Sequence, residues 1–105
     1  RLFAAKEFPT AIVCSDGRAA KGILYAACEA GVKVPEELSV FACSSQAESE
    51  QTFPPVSSIA WNAPEAIFRG IYMLKTLMER RTLKEPHLLI EPEMTIRATT
   101  ARCSR

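Results

Sequence analysis

Short apolar runs alternate with amphipathic stretches along this chain. Residues 10–15 (TAIVCS) form an apolar, β-branched run with the length of a buried strand. Ser15 and Asp16 follow, each with a side-chain oxygen able to accept from the unpaired N–H groups that open a helix. A helix is predicted over about 17–30, because Ala20, Ile23, Leu24, Ala27 and Gly31 fall at i, i+3, i+4, i+7 and i+11 on one stripe. Gly31 stands where the left-handed closing residue belongs. Residues 38–43 (LSVFAC) make a second continuous apolar strand. Strand, helix and strand in a little over thirty residues, both strands apolar throughout, predict a βαβ unit of a parallel sheet. Its crossover is expected to be right-handed.

The chain turns polar from Ser44 to Phe53 (SSQAESEQTF), which predicts a long loop closed by Pro54-Pro55. A third strand is expected at 56–61 (VSSIAW). Asn62-Ala63-Pro64-Glu65 then reads as a helix start, with Asn62 as the N-cap, Pro64 in the first turn and Glu65 reaching back. That helix should run to about Arg80, with Ile67, Gly70, Ile71, Leu74, Leu77 and Met78 on one face. Arg80 and Arg81 at its end suit the negative pole of the helix dipole. Two short strands are expected around 87–91 and 93–98. Residues 2–8 look like the last turns of a helix, stopped by Pro9. The fold class is α/β, a Rossmann-like parallel sheet in one domain.

Composition narrows the function classes. The 105 residues are 48% apolar and 24% charged, which suits a globular fold and not a disordered tail. Thirteen Lys and Arg against twelve Asp and Glu leave a net charge of +1, without the basic excess of a free-standing nucleic-acid binder. No apolar run approaches the roughly 20 residues that span a bilayer, and no signal peptide is visible. Cys14, Cys28, Cys43 and Cys103 show no C-x-x-C pair, so metal and redox spacings are missing. Three of them lie in apolar runs, which predicts buried thiols in a reducing, cytosolic compartment.

Catalytic constellations are thin. His87, the single histidine, opens an apolar strand beside Pro86. There is no nucleophile elbow and no G-x-G-x-x-G turn, and Asp16 is the one aspartate. No catalytic residue, metal ligand or cofactor is therefore expected, and the chain does not read as an enzyme. Cys14-Ser15-Asp16-Gly17 is the informative place, because ligands of doubly wound sheets settle at the carboxyl ends of strands beside helix N-termini. Ser44-Ser45 follow the next strand and would line the same edge. Taken alone, Ser15 and Asp16 equally serve as a helix cap, and Ser44-Ser45 as a polar turn. Trp61 reads either as core or as a stacking surface for a ligand ring.

Four segments in series carry a resemblance. PTAIVCSDGRAAKGILYAACEAG, VPEELSVFACSS, FPPVSSIAWNAPE and LLIEPEMTIRATT are similar, in order and spacing, to the end of LacI/GalR-family regulators. The resemblance covers nearly all of Pro9 to Thr100 and implies part of a type I periplasmic-binding-protein-like module, two Rossmann-like lobes with an effector between them. It implies a transcriptional regulator, a repressor, whose DNA-reading helix-turn-helix lies outside these residues. An exported solute-binding protein of the same fold is the alternative, which SVFACSS after VPEEL and the unpaired cysteines disfavour.

Carried over residue by residue, Asp16 stands at the family's effector-contacting Asn. Ser44 stands at its sugar-gripping acid, and Trp61 at the Gln that opens the crossover to the other lobe. These three are the implied contacts of a small-molecule effector, a sugar or similar polar metabolite, and Arg97 matches a structural Arg. Ordinary sugar specificity does not follow from so altered a set. Residues 61–80 would be the crossover helix of the other lobe. The family's subunit pairing would place Lys21, Tyr25, Gln51 and Phe53 on a homodimer surface. Phe53 beside two prolines in a polar loop is explained by a partner, or alternatively by tucking into its own domain.

Overall fold

The computed structural model describes residues 2–104. After a short 3-10 turn at Leu2–Ala4, seven elements follow. They are β1 (Ala11–Cys14), α1 (Gly17–Glu29), β2 (Ser39–Cys43), α2 (Gln46–Glu50), β3 (Ser57–Ala60), α3 (Ala63–Met78) and β4 (Glu93–Thr95). The four strands form one sheet in the order β1-β2-β3-β4. β1 pairs with β2 in parallel, Cys14 opposite Ala42, and β2 pairs with β3 in parallel, Cys43 opposite Ile59. The βαβ unit and the α/β class are as the hydrophobic pattern predicts.

The chain divides into two compact units, one holding the residues up to Ala60 and from Met94 onward, the other Trp61–Glu93. In the first, Ala20, Leu24 and Ala27 of α1 join Cys14, Leu38, Val40, Ala42 and Val56 in one buried cluster. Phe3, Ile12, Ile23, Val32 and Val34 pack around it. Each of Leu38, Val40 and Val56, fully buried, contributes roughly 1.5–3 kcal/mol of apolar burial. The other side of β1 is uncovered, with Val13 71% exposed. A strand apolar on both faces is half covered here.

Both long helices begin and end as side-chain chemistry directs. Asp16 Oδ1 accepts from the Ala19 N–H at 2.8 Å, and Asn62 Oδ1 from the Glu65 N–H at 3.2 Å. The Glu65 carboxylate turns forward to the Arg69 guanidinium at 2.9 Å instead of back to the cap. α1 closes through Gly31, at φ 71°, with Gly31 N–H donating to Cys28 O and Val32 N–H to Ala27 O. α3 closes in the same pattern through Arg80, at φ 54°.

Four expectations need correction. Residues 2–8 hold the 3-10 turn followed by bends, with Phe3 and Phe8 edge-to-face at 5.5 Å between ring centroids. The polar stretch after β2 is not all loop, because Ser45 caps α2 by accepting from the Glu48 N–H at 3.2 Å. Residues 87–91 form no strand, and the last strand stops at Thr95. Hydroxyls interrupt the ladder there: Arg97 N–H donates to Ser57 Oγ at 2.8 Å, and Ser57 N–H to Thr99 Oγ1 at 2.9 Å. Finally, Cys14 is buried but Cys28 and Cys43 are exposed, since Cys28 lies off the buried stripe of α1. None of the four cysteines is in a disulfide.

Candidate functional site

Two features of the first unit stand out, a strand edge and a hollow. The edge is formed where β1 and β2 end side by side and α1 and α2 begin. Asp16 is exposed there; one carboxylate oxygen caps α1, and the other has only a long 3.5 Å contact from Ser15 Oγ. Ser44 is nearly buried, and its hydroxyl donates to Glu48 Oε2 at 3.1 Å. Gly17 makes this closeness possible, since a Cβ on it would stand 2.7 Å from Ser44 Oγ and 3.3 Å from Glu48 Oε2. Burial pushes the Cys14 thiol pKa up, with the Asp16 carboxylate and Cys43 adding to the effect.

Beneath the edge, α2 is pegged to the sheet by hydroxyls. Ser49 Oγ donates to Ser45 O at 2.7 Å and accepts from the Ser58 hydroxyl at 2.9 Å. Thr52 Oγ1 contacts Ser49 O and Pro54 O and accepts from the Val56 N–H. Arg97 reaches Val56 O at 3.0 Å and Ser58 Oγ at 2.8 Å. Among the described residues no buried side-chain nitrogen or oxygen lacks a partner, so the buried hydroxyls of this network are all engaged.

The hollow lies between α1 and the segment after α2. It measures about 320 Å³ and is lined by Lys21, Leu24, Tyr25, Cys28, Gln51 and Phe53. All four residues singled out as a pairing surface from sequence therefore line one place. Phe53 is 95% exposed and Tyr25 66%, so neither ring tucks into its own domain. Leu24 and Cys28 join them because they lie three and seven positions after Lys21 on the same helix.

In the second unit Trp61 is 70% exposed, outside any core that the described residues form. No residue of α3 is buried. Ile67, Ile71, Leu74, Leu77 and Met78, the predicted apolar face, all stand open, as do Phe68 and Tyr72. Among the described residues no group of three or more His, Cys, Asp and Glu is arranged to hold a metal ion. No helix among them is long and apolar enough to cross a membrane.

Sequence reasoning placed Gly17 in the strand-end run but missed its close approach to Ser44, and it missed Glu48 altogether. A signal was available: Ser45-Gln46-Ala47-Glu48 has the S-x-x-E spacing of a capping box, although the Glu48 carboxylate turns to Ser44 instead of to the cap.

A parallel sheet with an open carboxyl edge, flanked by helix N-termini, defines an α/β module of the doubly wound class. Residues 1–100 match the periplasmic binding protein-like domain family, and the chain belongs to it. It is 30% identical over 92 residues to catabolite control protein A of Staphylococcus aureus, which covers 88% of this chain and 28% of that protein. It is 28% identical over 102 residues to the HTH-type transcriptional repressor PurR of Mannheimia succiniciproducens, covering 97% and 30%. Its fold matches a LacI family transcriptional regulator from Bifidobacterium animalis subsp. lactis with a TM-score of 0.90 at 24% identity, covering 99% of this chain and 38% of that one. The form of the domain is thus that of LacI-type regulators, and the chain spans less than a third of the length of the two relatives it matches in sequence.

Proposed function

We infer that this chain is the effector-sensing and self-associating part of a LacI-type transcriptional repressor acting in the cytoplasm. It carries no catalysis of its own. The observation that carries the reading is the strand edge, where Asp16 keeps one carboxylate oxygen almost unengaged while the other caps α1. A carboxylate so placed accepts from a hydroxyl or amine of a small polar effector, such as a sugar. Ser44 contributes from behind, through its hydrogen bond to Glu48. In the complete module Trp61 offers its exposed indole to the effector. The open apolar face of α3 packs against the remainder of the other lobe, to which residues 61–80 belong.

Self-association uses the hollow with Lys21, Tyr25, Gln51 and Phe53. Two aromatic rings held in water beside a cavity gain most when a second copy presents the same patch across a two-fold axis. Operator DNA is bound through a helix-turn-helix outside these residues.

Calorimetry of the full-length regulator against a panel of sugars and polar metabolites tests the sensing role. Asp16→Ala should weaken the ligand that binds by about 1–3 kcal/mol. An unchanged affinity would reduce Asp16 to a helix cap. Sedimentation tests the surface, since Tyr25→Asp with Phe53→Asp should yield monomers.

A further inference from the structure

Glu48 lies where the strand edge and the self-association hollow meet. On one side its Oε2 accepts the Ser44 hydroxyl at 3.1 Å. On the other it borders a smaller hollow of about 160 Å³ together with Gly17, Arg18, Lys21, Gln51 and Thr52. Lys21 and Gln51 also line the larger hollow that holds Tyr25 and Phe53. The two hollows therefore share two residues and follow one side of α1, where Arg18, Lys21, Tyr25 and Cys28 recur at helical spacing.

The backbone under Glu48 is fixed. Ser45 caps its N–H, Ser49 ties α2 to Ser45 O and Ser58, and Thr52 fastens the segment that follows. The carboxylate is the part with a choice. Among the described residues neither Glu48 nor Lys21 is in an ion pair, yet both face the same small cavity. Turning away from Ser44 exchanges one charge-assisted hydrogen bond for one solvent-exposed ion pair, which keeps the two arrangements close in free energy.

We propose that Glu48 is a two-position link between the effector edge and the self-association surface, bonded to Ser44 in one position and paired with Lys21 in the other. The link rests on the reading of the surface given above. A donor-bearing effector at the edge, with a hydroxyl or an amine reaching Oε2, holds Glu48 on the Ser44 side and leaves the Lys21 ammonium to the contact between copies. Without that donor, Glu48 divides between Ser44 and Lys21, and the share paired with Lys21 withdraws the ammonium charge from the contact. Linkage makes the effect reciprocal, so pairing of two copies also favours the effector.

Sedimentation equilibrium of the full-length regulator, without effector, tests this. Ser44→Ala removes the inward partner of Glu48 and should raise the dimer dissociation constant roughly two- to fivefold, the scale of one exposed ion pair. The change should vanish in a Lys21→Met background and in a Glu48→Gln background. A dissociation constant unchanged by Ser44→Ala, or a change that persists without the Lys21 ammonium, overturns the link. In that case Phe53→Asp still weakens the dimer and the surface reading stands. If Phe53→Asp leaves the dimer intact, the surface reading falls and takes the link with it. Circular dichroism of each variant excludes unfolding as the source of a change.

Discussion

Gly17 and Ser44 approach so closely that a Cβ on residue 17 would stand 2.7 Å from the Ser44 hydroxyl oxygen. The β1–α1 turn thereby closes onto the end of β2, and Glu48 is packed against both. Gly17→Ala gains a little helix propensity but forces Ser44 or the turn to move. We expect a net loss of about 1–3 kcal/mol, the usual range for overpacking a close contact. Urea denaturation measures it. Adding Ser44→Ala should recover part of the loss, because the atom met first is then gone; equal losses in the single and double variants would refute the steric account.

Thr99 joins the two parallel pairs from within. Fully buried, it donates its hydroxyl to Val40 O and accepts from the Ser57 N–H at 2.9 Å. Its own carbonyl accepts from the Val40 N–H at 2.8 Å. Thr99→Val keeps the shape and strands two buried backbone groups, each costing roughly 1–3 kcal/mol. A measured loss of about 2–5 kcal/mol is expected on that basis. A loss below 1 kcal/mol would mean that water or a neighbour replaces the hydroxyl.

How much of this was legible depends on where the deciding interactions lie. The βαβ unit could be read because Ala20, Leu24 and Ala27 repeat with the helical period, while β1 and β2 are unbroken apolar runs. The caps at Asp16, Asn62 and Gly31 are local, so residue type and spacing sufficed. The end of β4 was not local. Ser57 and Thr99, forty-two positions apart, replace ladder bonds with hydroxyl contacts, and no window of sequence shows that. The edge divided in the same way. Asp16 was visible as a residue at a strand end, whereas the engagement of Ser44 depends on Glu48 and on the missing side chain at Gly17. α3 was read correctly as amphipathic, but amphipathicity does not say what covers the face, and nothing among the described residues buries it.

Two helices close in one pattern with different residues at the left-handed position. Gly31 adopts φ 71° without steric cost, whereas Arg80 holds φ 54° with a Cβ. The left-handed conformation costs a non-glycine residue roughly 1–2 kcal/mol. Arg80→Gly should therefore stabilise the end of α3 by up to about 1 kcal/mol, less the loss of a cation near the helix C-terminus. Gly31→Ala should destabilise α1 by about the same amount. Thermal melts of the two variants should move in opposite directions. A fall in both would show that the Arg80 side chain matters more than its backbone.

Cys14 supplies a dependence on pH whose sign follows from its surroundings. Desolvation first, then the Asp16 carboxylate and Cys43, raise its pKa above the ordinary thiol value, which lies at roughly 8.5. The folded state then keeps the proton at pH values where the unfolded chain has begun to lose it. Below the ordinary thiol range both states are protonated and this contribution to stability is fully present. As pH rises through that range the unfolded state binds fewer protons than the folded one, so the unfolding free energy falls with pH until the folded thiol also ionises. Denaturation curves taken across this alkaline range should show the decline, and Cys14→Ala should flatten it. Alkylation gives a second readout, because thiolates react and thiols do not. Exposed Cys28 and Cys43 should be modified in the folded protein well before Cys14. Modification of Cys14 at the same rate as these two would show that its burial does not hold in solution.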